Sequence, residues 1–173
     1  MAKRVFKTDL SVKGIEQLKK DLLNYKDNIL QHKVDLLAKT LADRGVDIAQ
    51  TNVARLDAIF TGELINSIHT RYGGSSKGTA IFYIVADSDH AIYVEMGSGL
   101  IGASKPYPGK LPVVYAQGKT IHHTKNGKYG WFYQDDNGDW YFTEGMPSRP
   151  FMYETSLEIM KEVVSIAKDI FKK

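Results

Sequence analysis

The spacing of apolar residues changes period twice along this chain, and that change constrains the fold more than any single motif. After Gly14, Ile15, Leu18, Leu22 and Leu23 recur at helical steps among Lys19, Lys20 and Asp21. A longer run follows at steps of three, four and seven: Val34, Leu37, Ala38, Leu41, Ile48, Ala49, Val53 and Leu56. Lys33, Asp35, Lys39, Asp43, Arg44 and Asp47 mostly fall between them, which predicts an amphipathic helix with one solvated face. Gly45 interrupts the pattern at about 1 kcal/mol relative to Ala, so it marks a bend or a close neighbour. Past Thr61-Gly62 the helical period is lost. Ile65, Ile68 and Tyr72, then 80–86 and 91–94, are rich in β-branched and aromatic residues and broken by Gly, Ser and Asp, the pattern of strands. From Ser148 the helical period returns, with Leu157, Met160, Val164, Ala167 and Phe171 on one face.

Helices, then strands, then one closing helix imply an α+β fold, with N-terminal helices and a C-terminal helix packed on a small, mainly antiparallel sheet. The chain of 173 residues fits a single domain over residues 1–173. Within it, 97–145 forms an elaboration. Residues 97–120 carry five Gly and three Pro, which predicts a loop. Aromatic runs flanking Asp135-Asp136-Asn137-Gly138 then predict a β-hairpin, since Asn and Gly tolerate the positive φ of tight turns. A two-stranded hairpin is marginal alone, so its aromatics, Trp131, Tyr133, Trp140 and Phe142, are candidates for an interface. Val5 to Val12 is expected to be a short extended segment.

The absence of cysteine excludes disulfides, thiolate nucleophiles, Cys-ligated zinc and iron–sulfur clusters. No apolar run is long enough to span a membrane, and Lys7 and Asp9 interrupt the N-terminal region before a signal peptide could develop. The net charge of +3 is a mild excess, with acids and bases interleaved, so no basic stripe for nucleic acid stands out.

Several motifs are better explained as ordinary structure. Gly97-Ser98-Gly99-Leu100-Ile101-Gly102 spells the dinucleotide fingerprint, yet Lys105-Pro106-Tyr107-Pro108 leaves no room for the long helix that receives a pyrophosphate, and no acid follows at the expected distance. Asp135 to Asp139 lacks the alternating ligands and distal Glu of a calcium loop. His122-His123 would point to opposite faces of a strand, a poor chelating geometry. Ser, His and Asp are present, but paired carboxylates are expected by chance in a sequence of this composition, so the sequence points away from an enzyme, and no metal, cofactor or catalytic residue is expected. Lys119, Lys125 and Lys128 interleave with Tyr129, Trp131 and Tyr133 as in single-strand binders, although the arm turns acidic at its tip.

Three separated motifs line up in order: Thr61-Gly62-Glu63-Leu64-Ile65-Asn66-Ser67-Ile68, Ala91-Ile92-Tyr93-Val94-Glu95-Met96-Gly97-Ser98-Gly99, and Met146-Pro147-Ser148-Arg149-Pro150-Phe151-Met152. Together they resemble the tail-completion, or head-tail joining, proteins of long-tailed bacteriophages, grouped with minor tail protein Z. That family's pattern reads T-G-x-L-x-x-S-I, Y-V-E-F-G-T and A-R-P-F, with helices before it and a helix after it. Met96, Ser98 and Ser148 depart mildly from it. The resemblance implies a structural, non-catalytic role in the neck of the virion, assembled in the host bacterial cytoplasm. Its implied partners are further copies of itself in a ring, a hexamer or dodecamer, with a head connector or stopper on one side and a tail terminator or tail tube protein on the other. DNA passing through the lumen is a further candidate, and no membrane is involved. A tail terminator or a head-completion stopper is the neighbouring alternative, and a nucleic-acid-binding protein is the alternative from another class. The matching positions, Thr61, Gly62, Leu64, Ser67, Ile68, Tyr93, Glu95, Gly97, Gly99, Arg149, Pro150 and Phe151, are expected to be structural or interfacial. Glu95 and Arg149 are the charged pair among them, expected to pair within the fold or between subunits.

Overall fold

The computed structural model describes residues 5–58, 62–110, 112, 123–135 and 137–172. Elements follow in the order α1 (Val12–Asn24), a π-helical stretch (Tyr25–Leu30), α2 (Gln31–Arg55), α3 (Glu63–Ser67), β1 (Ile68–Ser76), β2 (Thr79–Ala86), α4 (Ala91–Met96), α5 (Gly99–Ser104), β3 (His123–Lys125), β4 (Lys128–Gln134), β5 (Trp140–Thr143), β6 (Gly145–Met146) and α6 (Phe151–Lys172). The fold is α+β. Its strands form two small sheets in place of the single one expected, β1-β2 and β3-β4-β5. The chain divides into two compact units, one of Met1–Val46, His69–Val85 and Ile159–Lys173, the other of Asp47–Ile68 and Ala86–Glu158.

In the first unit, Val5 to Val12 is not a strand. Asp9 Oδ1 accepts from the Ser11 N–H at 3.0 Å, and Ser11 Oγ in turn accepts from Gly14 N–H at 3.0 Å, so the segment is spent on starting α1. The helical backbone then continues through the π stretch, where the Gln31 N–H reaches back to the Lys26 carbonyl. No residue of α1 is buried. Gln31 and Asp35, one turn apart on α2, hold the β1–β2 turn: Gln31 Nε2 donates to Ser75 Oγ at 2.8 Å, and Ser75 Oγ donates to Asp35. Those bonds hold the Asp35 carboxyl below its usual range. Lys77 and Gly78 both take positive φ, 47° and 83°, the two-residue turn that matches strand twist.

The part of α6 in this unit runs antiparallel to α2. Arg44 grips Glu162 through two bonds of 2.9 and 3.0 Å, while Lys33 Nζ donates to the Ile170 carbonyl at 3.2 Å near the helix end. A Cβ on Gly45 would collide with the Ile84 side chain, so the glycine admits a close neighbour, here a side chain. The packed stripe of α6 is Ile159, Val163, Ile166 and Ile170, each partly covered. The expected face is the other one: Met160 and Val164 are 62% and 61% exposed, and Leu157 and Phe171 are exposed as well. The helix carries two apolar stripes, and periodicity alone does not say which is covered. A shallow apolar groove of about 350 Å³ remains in this unit, lined by Ala38, Leu41, Ala80, Phe82, Ile84 and Ile159.

The second unit holds most of the deeply buried side chains: Ile48, Ala49, Val53, Leu64, Ile68, Ala91, Val94 and Phe151. The buried polar groups among them are bonded. Asn52 Nδ2 donates to Thr155 Oγ1 at 3.2 Å, and Arg55 bridges Asn52 to Glu154.

The predicted hairpin is present. β4 and β5 pair antiparallel with Trp131 opposite Thr143, Phe132 opposite Phe142, Tyr133 opposite Tyr141 and Gln134 opposite Trp140. Asp135 Oδ1 accepts from the N–H groups of Asn137 and Asp139 at 3.0 and 2.9 Å, which makes it a turn former. A second hairpin that the sequence reading did not name lies after the loop expected over 97–120: β3 to β4, turned by Asn126 and Gly127 with φ of 52° and 78°.

Three further expectations are corrected. Ala91 to Val94 forms helix α4 instead of a strand, because a turn at Ser88 leads into it and Gly97 stops it. Ser88 Oγ accepts from His90 N–H at 3.3 Å, and Gly97 N–H closes the last turn on the Tyr93 carbonyl at 2.8 Å. Ile65 likewise lies in the short helix α3, with β1 beginning only at Ile68. The glycine-rich start of the expected loop winds into α5.

Candidate functional site

The second and third motifs meet at the N-terminus of α6. Pro150 precedes the helix and has no side-chain acceptor, so the first turn needs its cap from elsewhere. Glu95 supplies it. Its Oε2 accepts from Met152 N–H at 2.8 Å and its Oε1 from Tyr153 N–H at 2.9 Å, a bidentate carboxylate on the positive end of the helix. The Tyr107 hydroxyl adds a third bond to the same carboxylate, and its ring packs edge-on against Tyr153 with centroids 5.6 Å apart. Glu95 is 7% exposed. Burial pushes its carboxyl above the ordinary value of 4.5, against the three hydrogen bonds that pull it down. Burial, together with the neighbouring Glu95 charge, also pushes the Tyr107 hydroxyl up.

Arg149 does not pair with Glu95 within the chain. Its guanidinium Nε donates to the Leu56 carbonyl at 3.1 Å, past the end of α2, and its backbone N–H to the Val94 carbonyl at 2.8 Å. The carboxylate is already saturated by helix N–H groups, which satisfy it without a cation. Ser148 completes the junction by donating from Oγ to the Glu95 carbonyl at 2.6 Å.

The glycines of the second motif allow this closeness. Gly97 has a φ of 74°, and a Cβ there would stand 2.6 Å from the Ser148 backbone nitrogen and 3.0 Å from the Met146 carbonyl oxygen. Gly99, at φ 63°, is pressed against the Glu144 backbone and the Trp131 ring. Isolated bridges join Ser98 to Met146 and Gly99 to Gly145. The nucleotide-like glycines therefore serve chain-on-chain packing. Gly97→Ala is expected to destabilise the fold by about 2 kcal/mol, from positive φ and backbone overlap together, read as a lower urea midpoint at unchanged slope.

The first motif belongs to the same unit. Thr61 lies outside the described residues. Gly62 takes φ 79° and starts α3, with its carbonyl accepting from Asn66 N–H at 3.1 Å. Leu64 and Ile68 are buried, Ser67 Oγ donates to the Leu64 carbonyl at 2.8 Å, and Ser88 donates to Glu63 at 3.2 Å. Of the remaining motif residues, Phe151 is 1% exposed, whereas Tyr93 is largely exposed.

The hairpin candidates separate into two sets. Trp131 and Phe142 are partly covered near its base, while Tyr133 and Trp140 are exposed further out. Tyr129, named in the Lys-aromatic series, is exposed too, as is Tyr141, which the sequence reading did not single out; alternation along the paired strands places Tyr129, Tyr133 and Tyr141 on one face. Tyr107 was missed as well, and only its place between two prolines hinted that it is held rigidly. Of the Lys-aromatic series, Lys119 lies outside the described residues, as do His122 and Asp136, and Lys128 is bonded to Glu144 at 3.1 Å. Among the described residues, no group of three or more His, Asp or Glu side chains is placed to hold a metal ion, and no helix is long and apolar enough to cross a membrane.

Comparison of the chain with protein-family models, curated proteins and solved structures gives no match.

Proposed function

We propose that this chain is a structural protein of the bacteriophage neck, completing the tail and joining it to the DNA-filled head as part of a ring. The observation that carries the reading is the division between scaffold and arm. The motif residues that resemble the joining proteins are mostly buried or bonded to backbone inside one unit, with Glu95 capping the first turn of α6 and Gly97 and Gly99 closing onto the segment before it. The hairpin inserted between the second and third motifs keeps its distal aromatics exposed. A rigid scaffold presenting an aromatic arm suits a part whose mechanism is docking. Its partners on this reading are other copies of itself, a head connector or stopper, and a tail terminator or tail tube protein. A tail terminator or stopper would use the same architecture. The nucleic-acid alternative is less well supported, because Lys128 is committed to Glu144 and Asp135 and Asp139 stand at the tip.

The test is electron microscopy of particles produced after deleting the gene from the phage or prophage that carries it. Filled heads beside separate tails of normal length are expected. Tails of abnormal length would reassign the chain to a terminator, and intact infectious virions would overturn the neck reading.

A further inference from the structure

Two surfaces of this molecule are apolar and exposed, one interrupted by a lysine and the other ending in an aspartate. On α1, Leu22 and Leu23 are 45% and 46% exposed, with Ile15 a little more so. Lys19 stands one turn from each of them, so a cation sits within the apolar arc, and Lys20 lies beyond Glu16 on its flank. Neither lysine has an ion-pair partner among the described residues. On the β4–β5 hairpin, Tyr133 and Tyr141 face each other across the strands with ring centroids 5.7 Å apart, both about half exposed. Asp139 lies two residues before Tyr141 and pairs across the turn with Asp135, which continues the tyrosine face into carboxylates.

We infer that the tyrosine and aspartate face of the hairpin docks on the leucine and lysine arc of α1 of a second copy of this chain. Tyrosine covers apolar surface while its hydroxyl stays wet, and its ring face attracts an ammonium group, so it fits a leucine arc interrupted by lysine. The Asp139 carboxylate meets Lys19 or Lys20, which fixes orientation and register. The contact is heterologous: each copy gives its hairpin to one neighbour and its α1 to another, the type of interface that closes into rings. Two copies of α1 facing each other would set Lys19 against Lys19, and two hairpins would set aspartates together, so both symmetric pairings are disfavoured by charge. The inference deepens the ring in the proposed function, and rests on that reading only for the ring.

The cysteine-free chain allows a direct test. Full-length Leu22→Cys and Tyr141→Cys proteins are mixed at high concentration and treated with a short bis-maleimide. The expected product is the mixed dimer, in clear excess over either homodimer, and a chain carrying both substitutions should give a ladder of covalent multimers. Salt near 1 M, where the Debye length falls to about 3 Å, should reduce the yield several-fold. Lys19→Glu in the Leu22→Cys chain should lower it, and Asp139→Lys in the Tyr141→Cys chain should restore it. Homodimers in excess, or no crosslink in this pair and in the pair Ile15→Cys with Tyr133→Cys, would overturn the inference. The two readings fail separately. A missing crosslink with headless tails after gene deletion removes the interface alone, whereas a mixed dimer with intact virions removes the neck role alone.

Discussion

Replacing Glu95 by alanine is expected to destabilise the protein by about 3 kcal/mol at neutral pH, because three donors in a buried site lose their acceptor at once. The Met152 and Tyr153 N–H groups have no helical partner of their own, and the Tyr107 hydroxyl is directed at the same carboxylate. The cost of burying the charge offsets part of this, which keeps the net loss below the sum of three broken bonds. Glu95→Gln retains one acceptor oxygen and should lose about half as much. The pH dependence has a definite sign. The folded protein holds the Glu95 proton more tightly than the unfolded chain does, so stability from this group is fully present below the ordinary value of 4.5 and is lost as pH rises through the raised folded value. Urea titrations of the parent and of Glu95→Gln across the acid range should show the parent losing ground to the variant as pH increases. A parent that gained on the variant over that range would contradict the assignment.

The second large effect is expected at Phe151. Its side chain is the largest of the fully buried groups and opens α6 one turn before Thr155, whose hydroxyl donates back to the Phe151 carbonyl at 2.7 Å. Phe151→Ala should cost about 3–5 kcal/mol, a combination of lost apolar burial and an unfilled cavity, and Phe151→Leu much less. Equilibrium urea unfolding checks this, with the midpoint falling while the slope holds. A loss below about 1 kcal/mol would mean that the site collapses around the alanine.

The long helical runs and the Asp-Asn-Gly hairpin were legible because each writes its period or its turn chemistry locally. Gly45 was legible as a place of close approach, though not what approaches it. Ala91 to Val94 misled because Ile92, Tyr93 and Val94, all of high β propensity, are outvoted by a serine turn before them and a stopping glycine after them, signals that lie outside the run. The hairpin at Asn126-Gly127 was within reach, since that dipeptide is the strongest short-range turn signal, but the Lys and aromatic pattern of the segment drew the reading away from its turn. The covered face of α6 was not legible. Both of its stripes are apolar at helical spacing, and the choice between them rests on where Gly45 and the Arg44–Glu162 pair bring α2. The site was half legible. Glu95 and Arg149 stood out as charges in apolar motifs, yet no rule of sequence says that a carboxylate will answer a helix start 57 positions away that proline leaves uncapped.

The π stretch between α1 and α2 gives the chain an unusual tolerance for a change of length. One π turn accommodates one residue more than regular α winding, so removing a single residue between Tyr25 and Leu30 would return the stretch to α winding and leave α1 facing nearly as before. The direction in which Ile15, Leu22 and Lys19 point is therefore buffered by a six-residue segment. A lineage could lose one codon there without redirecting the arc, whereas the same loss in the regular first turns of α2 would swing it by about 100°.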